Sequence, residues 1–214
     1  MIGKKIIQIS ENIYAIDSLS KIPISEWNKC AQSKDRELNP FISHEFLSSL
    51  EESDSVSEKT GFQPLHIVIK DKSHKLIGCC PLYLKSHSYG EYIFDWNWAQ
   101  AYENAGGKYY PKLLCGVPFT PVTSPRFLIK NKKESNKITE QLLTSMKKLV
   151  NDLGVSSLHI TFPEKEELYT TEKLGFLTRV SQQFHWKNNN YNDFNDFLAE
   201  LSSRKRKNIK KERK

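Results

Sequence analysis

The residues best suited to chemistry lie between His87 and Phe127. Glu91, Asp95 and Glu103 are spaced among Tyr89, Tyr92, Trp96, Trp98 and Tyr102, with Asn, Gly and four of the nine prolines in the same stretch. A carboxylate set among aromatic rings loses solvation, so its pKa rises and it becomes fit to take a proton near neutrality. Apolar walls with a few polar groups also make up a concave binding site. A pair of edge strands whose Tyr hydroxyls and Trp N–H groups reach water would use the same residues, and composition leaves both readings open. On the site reading, Glu91, Asp95 and Tyr92 are the candidate catalytic groups. His44, Tyr89, Trp96, Trp98, Tyr102, Phe119 and Arg126 are the candidate substrate contacts. His44, His159 and His185 are candidate bases outside the stretch, although a histidine on an apolar strand, as at His159, is more often a satisfied core residue.

These side chains depend on the elements around them. Residues 6–16 read as a short strand, and Ser25 starts a helix that must stop near Asn39-Pro40. Ser43 is a good N-cap for a second helix carrying Phe46, Leu47 and Leu50, with His44 and Glu45 in its first turn. After a polar loop over 51–60, residues 65–70 and 76–85 form an antiparallel hairpin with its turn at Asp71–His74, and Gly78 marks a bulge. Tyr92–Trp96 reads as a strand and 98–103 as a helical turn broken by Gly106-Gly107. Residues 112–117 and 126–129 read as strands.

The clearest helix spans 131–153, where Ile138, Leu142, Met146, Leu149 and Leu153 recur at helical steps before Gly154. A strand over 157–162, a shorter helix over 164–174 and a strand over 178–186 follow, the last with Val180, Gln182, Phe184 and Trp186 on one face. A second long helix begins at Asn192 or Asp193, with Phe194, Phe197, Leu198 and Leu201 as its apolar stripe.

A chain of 214 residues with 38% hydrophobic content suits one large domain, or one domain and part of a second. Its excess charge is local. Residues 201–214 hold eight Lys/Arg and one Glu, which leaves 24 residues of each sign in residues 1–200. A neutral body argues against a general nucleic-acid-binding surface. Cys30, Cys79, Cys80 and Cys115 form no C-x-x-C pair, so neither a metal site nor a redox motif is signalled. Adjacent on a strand, Cys79 and Cys80 would point to opposite faces. No segment has the length and apolarity of a signal peptide or a membrane span, and free thiols fit a cytoplasmic protein.

The element order, with a short helix ending Lys173-Leu-Gly-Phe176 before a strand, resembles the second half of the GNAT acyltransferase fold. Longer motifs are more specific. Asn39-Pro-Phe-Ile-Ser-His-Glu-Phe-Leu, the run from Pro81 to Trp96, Tyr109-Tyr-Pro-Lys-Leu, Pro118-Phe-Thr-Pro-Val, Gln183-Phe-His-Trp and Lys205-Arg-Lys-Asn-Ile resemble, in order, the FemAB-like family of predicted N-acyltransferases labelled peptidoglycan biosynthesis or recognition proteins. The resemblance implies an α+β, GNAT-like fold whose mixed, mainly antiparallel central sheet is flanked by helices. It places a GNAT-like domain over 1–188 and the first helix of a second over 189–214, with the chain stopping inside that second domain.

It also implies transfer of an acyl or aminoacyl group to an amine, in relatives a cell-wall precursor amine, from aminoacyl-tRNA or acyl-CoA. Acyl transfer needs the amine deprotonated, the carbonyl polarised and both partners aligned. One departure concerns CoA, because the turn between Arg126 and Ile138 lacks the glycines that grip a pyrophosphate at a helix N-terminus. Lys130, Lys132 and Lys133 there are a solvated loop or meet a phosphate electrostatically. The basic tail is a solvated helix of the second domain, a contact for tRNA phosphates or a contact for anionic lipid. A non-catalytic peptidoglycan-recognition or nucleic-acid-binding module is the competing class.

Overall fold

A computed structural model describes residues 6–32 and 39–213. Their contacts divide the chain into two compact units, Met1–Arg179 and Val180–Lys214. In the first unit the opening strand is a hairpin, β1 (Ile7–Ser10) and β2 (Ile13–Ile16), turned at Asn12 with φ 61°. Asn tolerates the left-handed region better than most side chains. β2 pairs antiparallel with β4 (His66–Lys70), which pairs with β5 (Leu76–Cys80). The bulge falls beside Gly78, between the Ile69–Gly78 and Lys70–Leu76 pairs.

The expected 65–70/76–85 hairpin turns out to serve two sheets. β3 (Phe62–Pro64) and β6 (Leu82–Lys85) continue it into a second sheet, paired antiparallel. Pro81 has no N–H to donate, so the ladder steps there, and the Leu65 N–H bridges the step to Leu82 O at 2.8 Å. β7 (Lys112–Cys115), β8 (Leu128–Ile129) and β9 (Leu158–Ile160) complete the sheets. Their orders are β1-β2-β4-β5-β8 and β3-β6-β7-β9, antiparallel throughout except β7 with β9.

Helices cover both faces. α1 (Ile24–Ala31) and α2 (His44–Glu52) bury Trp27, Cys30 and Leu47 against Val68, Cys79 and Leu128. The Ser43 hydroxyl caps α2 by accepting the Phe46 N–H, whereas α1 starts one residue before Ser25, with Pro23 at its N-cap. α3 (Trp96–Asn104) precedes β7. On the opposite face α4 (Ser135–Leu153) presents Ile138, Leu142, Met146 and Leu149 to Ile67, Cys80 and Leu113. Cys79 and Cys80 therefore do face opposite sides. α5 (Lys165–Lys173) follows β9.

The close fit of α4 sets one expectation. A Cβ on Gly78 would lie 2.4 Å from Ile138 Cγ2, so Gly78→Ala must push α4 away or force Ile138 off its rotamer. Overpacking of this kind costs about 1–3 kcal/mol, to be read as a lowered urea midpoint.

Three expected elements differ. Tyr92–Trp96 is no strand: Tyr92 and Phe94 have φ of 59° and 48°, which breaks extended backbone, and Trp96 already begins α3. Residues 178–186 form no strand either, and their alternating Val180, Phe184 and Trp186 are exposed. Alternation makes a strand only where a neighbour supplies a ladder and a face to bury. The last long helix is two, α6 (Phe194–Glu200) and α7 (Ser203–Glu212), because Leu201 is extended, with ψ 149°.

Candidate active site

Register creates the central feature. β6 and β7 place Lys85 directly opposite Lys112, and both side chains are fully buried. Like charges on paired strands repel, and buried ammonium groups need counter-charges. The segment between β6 and α3 supplies them. Lys112 Nζ donates to Glu91 Oε2 at 2.9 Å, Asp95 Oδ2 at 2.7 Å and Ser88 Oγ at 2.8 Å, which uses all three of its protons. The Tyr109 hydroxyl donates to Asp95 Oδ2 at 2.7 Å, and Ser88 Oγ shares a hydrogen bond with the Tyr110 hydroxyl. Lys85 Nζ donates to Tyr89 O at 3.2 Å, lies 3.9 Å from Glu91 Oε1 and sits over the Phe62 ring.

The two carboxylates are driven apart. Burial raises the Glu91 pKa, and the Lys112 and Lys85 charges do not bring it back. Burial also pushes Asp95 upward, but hydrogen bonds from Lys112, Ser88 and Tyr109 outweigh it and hold the carboxyl at about 2. Burial lowers Lys85 to about 7, helped by Lys112 and opposed by Glu91. His159 on β9 is lowered to about 4 by burial and by Lys112, with its Nδ1 3.9 Å from Asp95 Oδ2. Among the described residues, Glu91 Oε1 and Asp95 Oδ1 are buried without hydrogen-bond partners.

An acid-stability expectation follows from Asp95. Its folded pKa of about 2 lies below the ordinary 3.8, so its contribution is full above the unfolded value and fades as pH falls through the folded one. Asp95→Asn should flatten the dependence of the urea midpoint on pH across that window.

Above these charges the loop turns its rings outward. Tyr89, Tyr92, Phe94, Trp96, Trp98 and Tyr102 are all about half exposed or more, while Glu91 and Asp95 between them point in. Phe119 joins this surface: its N–H donates to Gly90 O at 3.0 Å and its ring packs 5.0 Å from Phe62. Gly90, at φ 77°, admits that ring, since a Cβ there would lie 2.7 Å from Phe119 Cδ1. Bulky residues at positive φ are costly, and Tyr92, Phe94 and Phe119 all have it.

The other sequence-predicted residues lie elsewhere. His44 Nε2 is within 3.0 Å of the Leu19 and Ile22 carbonyls, a buried tie from α2 to the turn before α1. Arg126 is fully buried; its guanidinium donates to Thr161 O, Ser124 Oγ and Val122 O and ties the segment before β8 to the end of β9. Glu103 is exposed on α3, and His185 is exposed in the second unit. Sequence reasoning missed Lys85, Lys112, Ser88 and Tyr109. The only trace of the lysines in the sequence is slight: Leu82-Tyr-Leu-Lys85 is a short apolar run that ends in a lysine, and Lys112-Leu-Leu-Cys115 is one that starts with a lysine. Glu91, Asp95 and His159 also bring three metal-type donor atoms within 4.8 Å of one another, but Lys112 Nζ already donates to both carboxylates.

A family model described as peptidoglycan biosynthesis/recognition, FemAB-like, matches residues 18–214. Among solved structures, the chain is similar to the aminoglycoside antibiotic 6'-N-acetyltransferase AAC(6')-Ih from Acinetobacter baumannii. Identity is 12% and the TM-score 0.46, over 83% of this chain and 97% of that one. It is similar to an acetyltransferase of Trypanosoma brucei at 10% identity and TM-score 0.47, over 82% and 98%. A third, the aminoglycoside N-acetyltransferase AAC(6')-Iy in complex with CoA, gives 12% and 0.40, over 65% and 86%. No curated protein matches.

Proposed function

The chain belongs to the FemAB-like family, and on that footing we propose that it is an N-acyltransferase acting on an amine of a peptidoglycan precursor. The observation that carries this reading is Glu91: a carboxylate raised by burial, with one oxygen that accepts no hydrogen bond among the described residues, directly beneath a surface of outward-turned rings. An amine acceptor arrives as an ammonium and must lose a proton before it attacks. Glu91 takes that proton; the amine nitrogen bonds to the acyl carbon; the bond from that carbon to the donor oxygen or sulfur breaks, and the leaving group departs with a proton. Lys112 and Asp95 position Glu91 rather than touch the substrate. Because Glu91 is buried, the reading requires the 89–95 loop to lift, and within it Tyr92 and Phe94, at positive φ, hold the strain that lifting would release.

The donor is an acyl-CoA thioester or an aminoacyl-tRNA ester. In the turn before α4 the Lys133 N–H is taken by Asn131 Oδ1 and the Glu134 N–H by Asn131 O, so these amides are already used and offer no pyrophosphate cradle. No helix among the described residues is long and apolar enough to cross a membrane.

The test incubates the full chain with acetyl-CoA or with charged tRNA and a muropeptide bearing a free diamino-acid amine. Mass spectrometry should find the acceptor heavier by one acyl group with one donor class. Muropeptide binding without product from either donor would overturn the reading in favour of recognition.

A further inference from the structure

The second unit contains an open cleft of about 380 Å³, lined by Trp186, Asn188, Tyr191, Asp193, Phe194 and Phe197. Three of its rings form a box. Trp186 and Tyr191 lie within 29° of parallel at 6.2 Å between centroids, and Phe197 stands at 75° and 78° to them, 6.4 and 5.7 Å away. The faces of such rings carry negative potential, and several converging faces attract a cation that has shed water.

The charges beside the rings have the matching sign. Asp193 lines the cleft, and its pKa is lowered by the Asp196 and Asn195 N–H groups, so it stays ionised. Glu200 accepts the Tyr191 hydroxyl, and the Asp196 carboxylate accepts from Asn192. Lys187 stands between the lining residues Trp186 and Asn188, while most of the unit's basic residues lie on α7. Of these, Arg206 is tied to the Leu198, Ala199 and Leu201 carbonyls at 2.8, 2.9 and 3.0 Å. Arg213 already rests its guanidinium 4.1 Å over the Phe194 ring, so one wall of this cleft holds a cation of the chain's own. An anionic ligand in the cleft would meet the Asp193 carboxylate that lines it.

We infer that this cleft is a binding site for an alkylammonium group, held by the Trp186–Tyr191–Phe197 box and the Asp193 carboxylate. It is built within Val180–Lys214, uses none of the residues assigned to acyl transfer, and stands or falls independently of that activity.

The test titrates the full chain with tetramethylammonium, with cadaverine and with the neutral isostere 3,3-dimethylbutan-1-ol, following the indole N–H resonance that disappears in Trp186→Phe. Both cations should shift it saturably, and the alcohol should not. Asp193→Asn keeps a good helix cap but removes the charge, and should weaken cation binding about threefold to tenfold. Trp186→Ala should reduce the shift of the Tyr191 ring signals to background. Equal binding of the neutral isostere, an unchanged affinity in Asp193→Asn, or a shift produced by oligouridylate and not by the amines would each overturn the inference, the last in favour of a nucleobase site.

Discussion

Lys112→Met should lower the free energy of unfolding by about 3–5 kcal/mol, the cost of removing one partner from a buried ion pair. Met matches the length of the lysine stem, so the loss is electrostatic and not that of a cavity. Lys112 is fully buried and spends all three protons on Glu91, Asp95 and Ser88. Without it, two carboxylates share a dry site in which the remaining cation, Lys85, is 3.9 Å from Glu91 Oε1. Urea denaturation at neutral pH checks the value. The defect should shrink on mild acidification, because protonating Glu91, already raised by burial, relieves the repulsion. A loss below about 1 kcal/mol, the scale of an exposed pair, would mean that the cluster is solvated.

Glu91→Gln should reduce acyl transfer by about 10²- to 10⁴-fold, the usual worth of a positioned general base. The amide keeps the shape of the side chain and can still accept the Lys112 proton through its oxygen, so the fold should survive. The loss should appear in kcat more than in KM, because Glu91 acts on the amine proton and contributes little to holding the precursor. A Glu91→Gln protein that binds acceptor and transfers at the wild-type rate would reduce Glu91 to an anchor for the aromatic loop.

Much of the scaffold could be read from the chain. α4 was legible because Ile138, Leu142, Met146 and Leu149 recur at one helical face and all are buried. Ser43 was legible as a cap because a serine just before a helical apolar pattern offers a side-chain oxygen to the first turn, and that oxygen does accept the Phe46 N–H. The acidic and aromatic character of residues 89–102 was legible too, but not which way each residue faces. Alternation suggested a strand, whereas positive φ at Tyr92 and Phe94 makes a loop that keeps Glu91 and Asp95 inside and the rings outside.

The lysines were hidden for a different reason. Buried lysine is rare, and its meaning here lies in the β6–β7 register, which pairs Lys85 with Lys112 across 27 positions of sequence. Residues 178–186 show the converse: their pattern is that of a strand, but nothing in their own sequence specifies a partner edge. Arg126 and His44 illustrate a third limit. Polar residues near a candidate site look functional in sequence, and only the hydrogen-bond partners, backbone carbonyls for His44 and two carbonyls with the Ser124 hydroxyl for Arg126, show that they tie elements together.

The measurement that bears most directly on the account is the pH profile of kcat/KM for wild type and Glu91→Gln with the amine acceptor. A base must be deprotonated to act, and burial raises Glu91 above the usual 4.5. Wild-type activity should therefore rise with pH through a limb above the ordinary carboxylate range, and Glu91→Gln should lose that limb along with most of its rate. A limb that persists unchanged in Glu91→Gln would contradict the assignment and place the proton acceptor on another group.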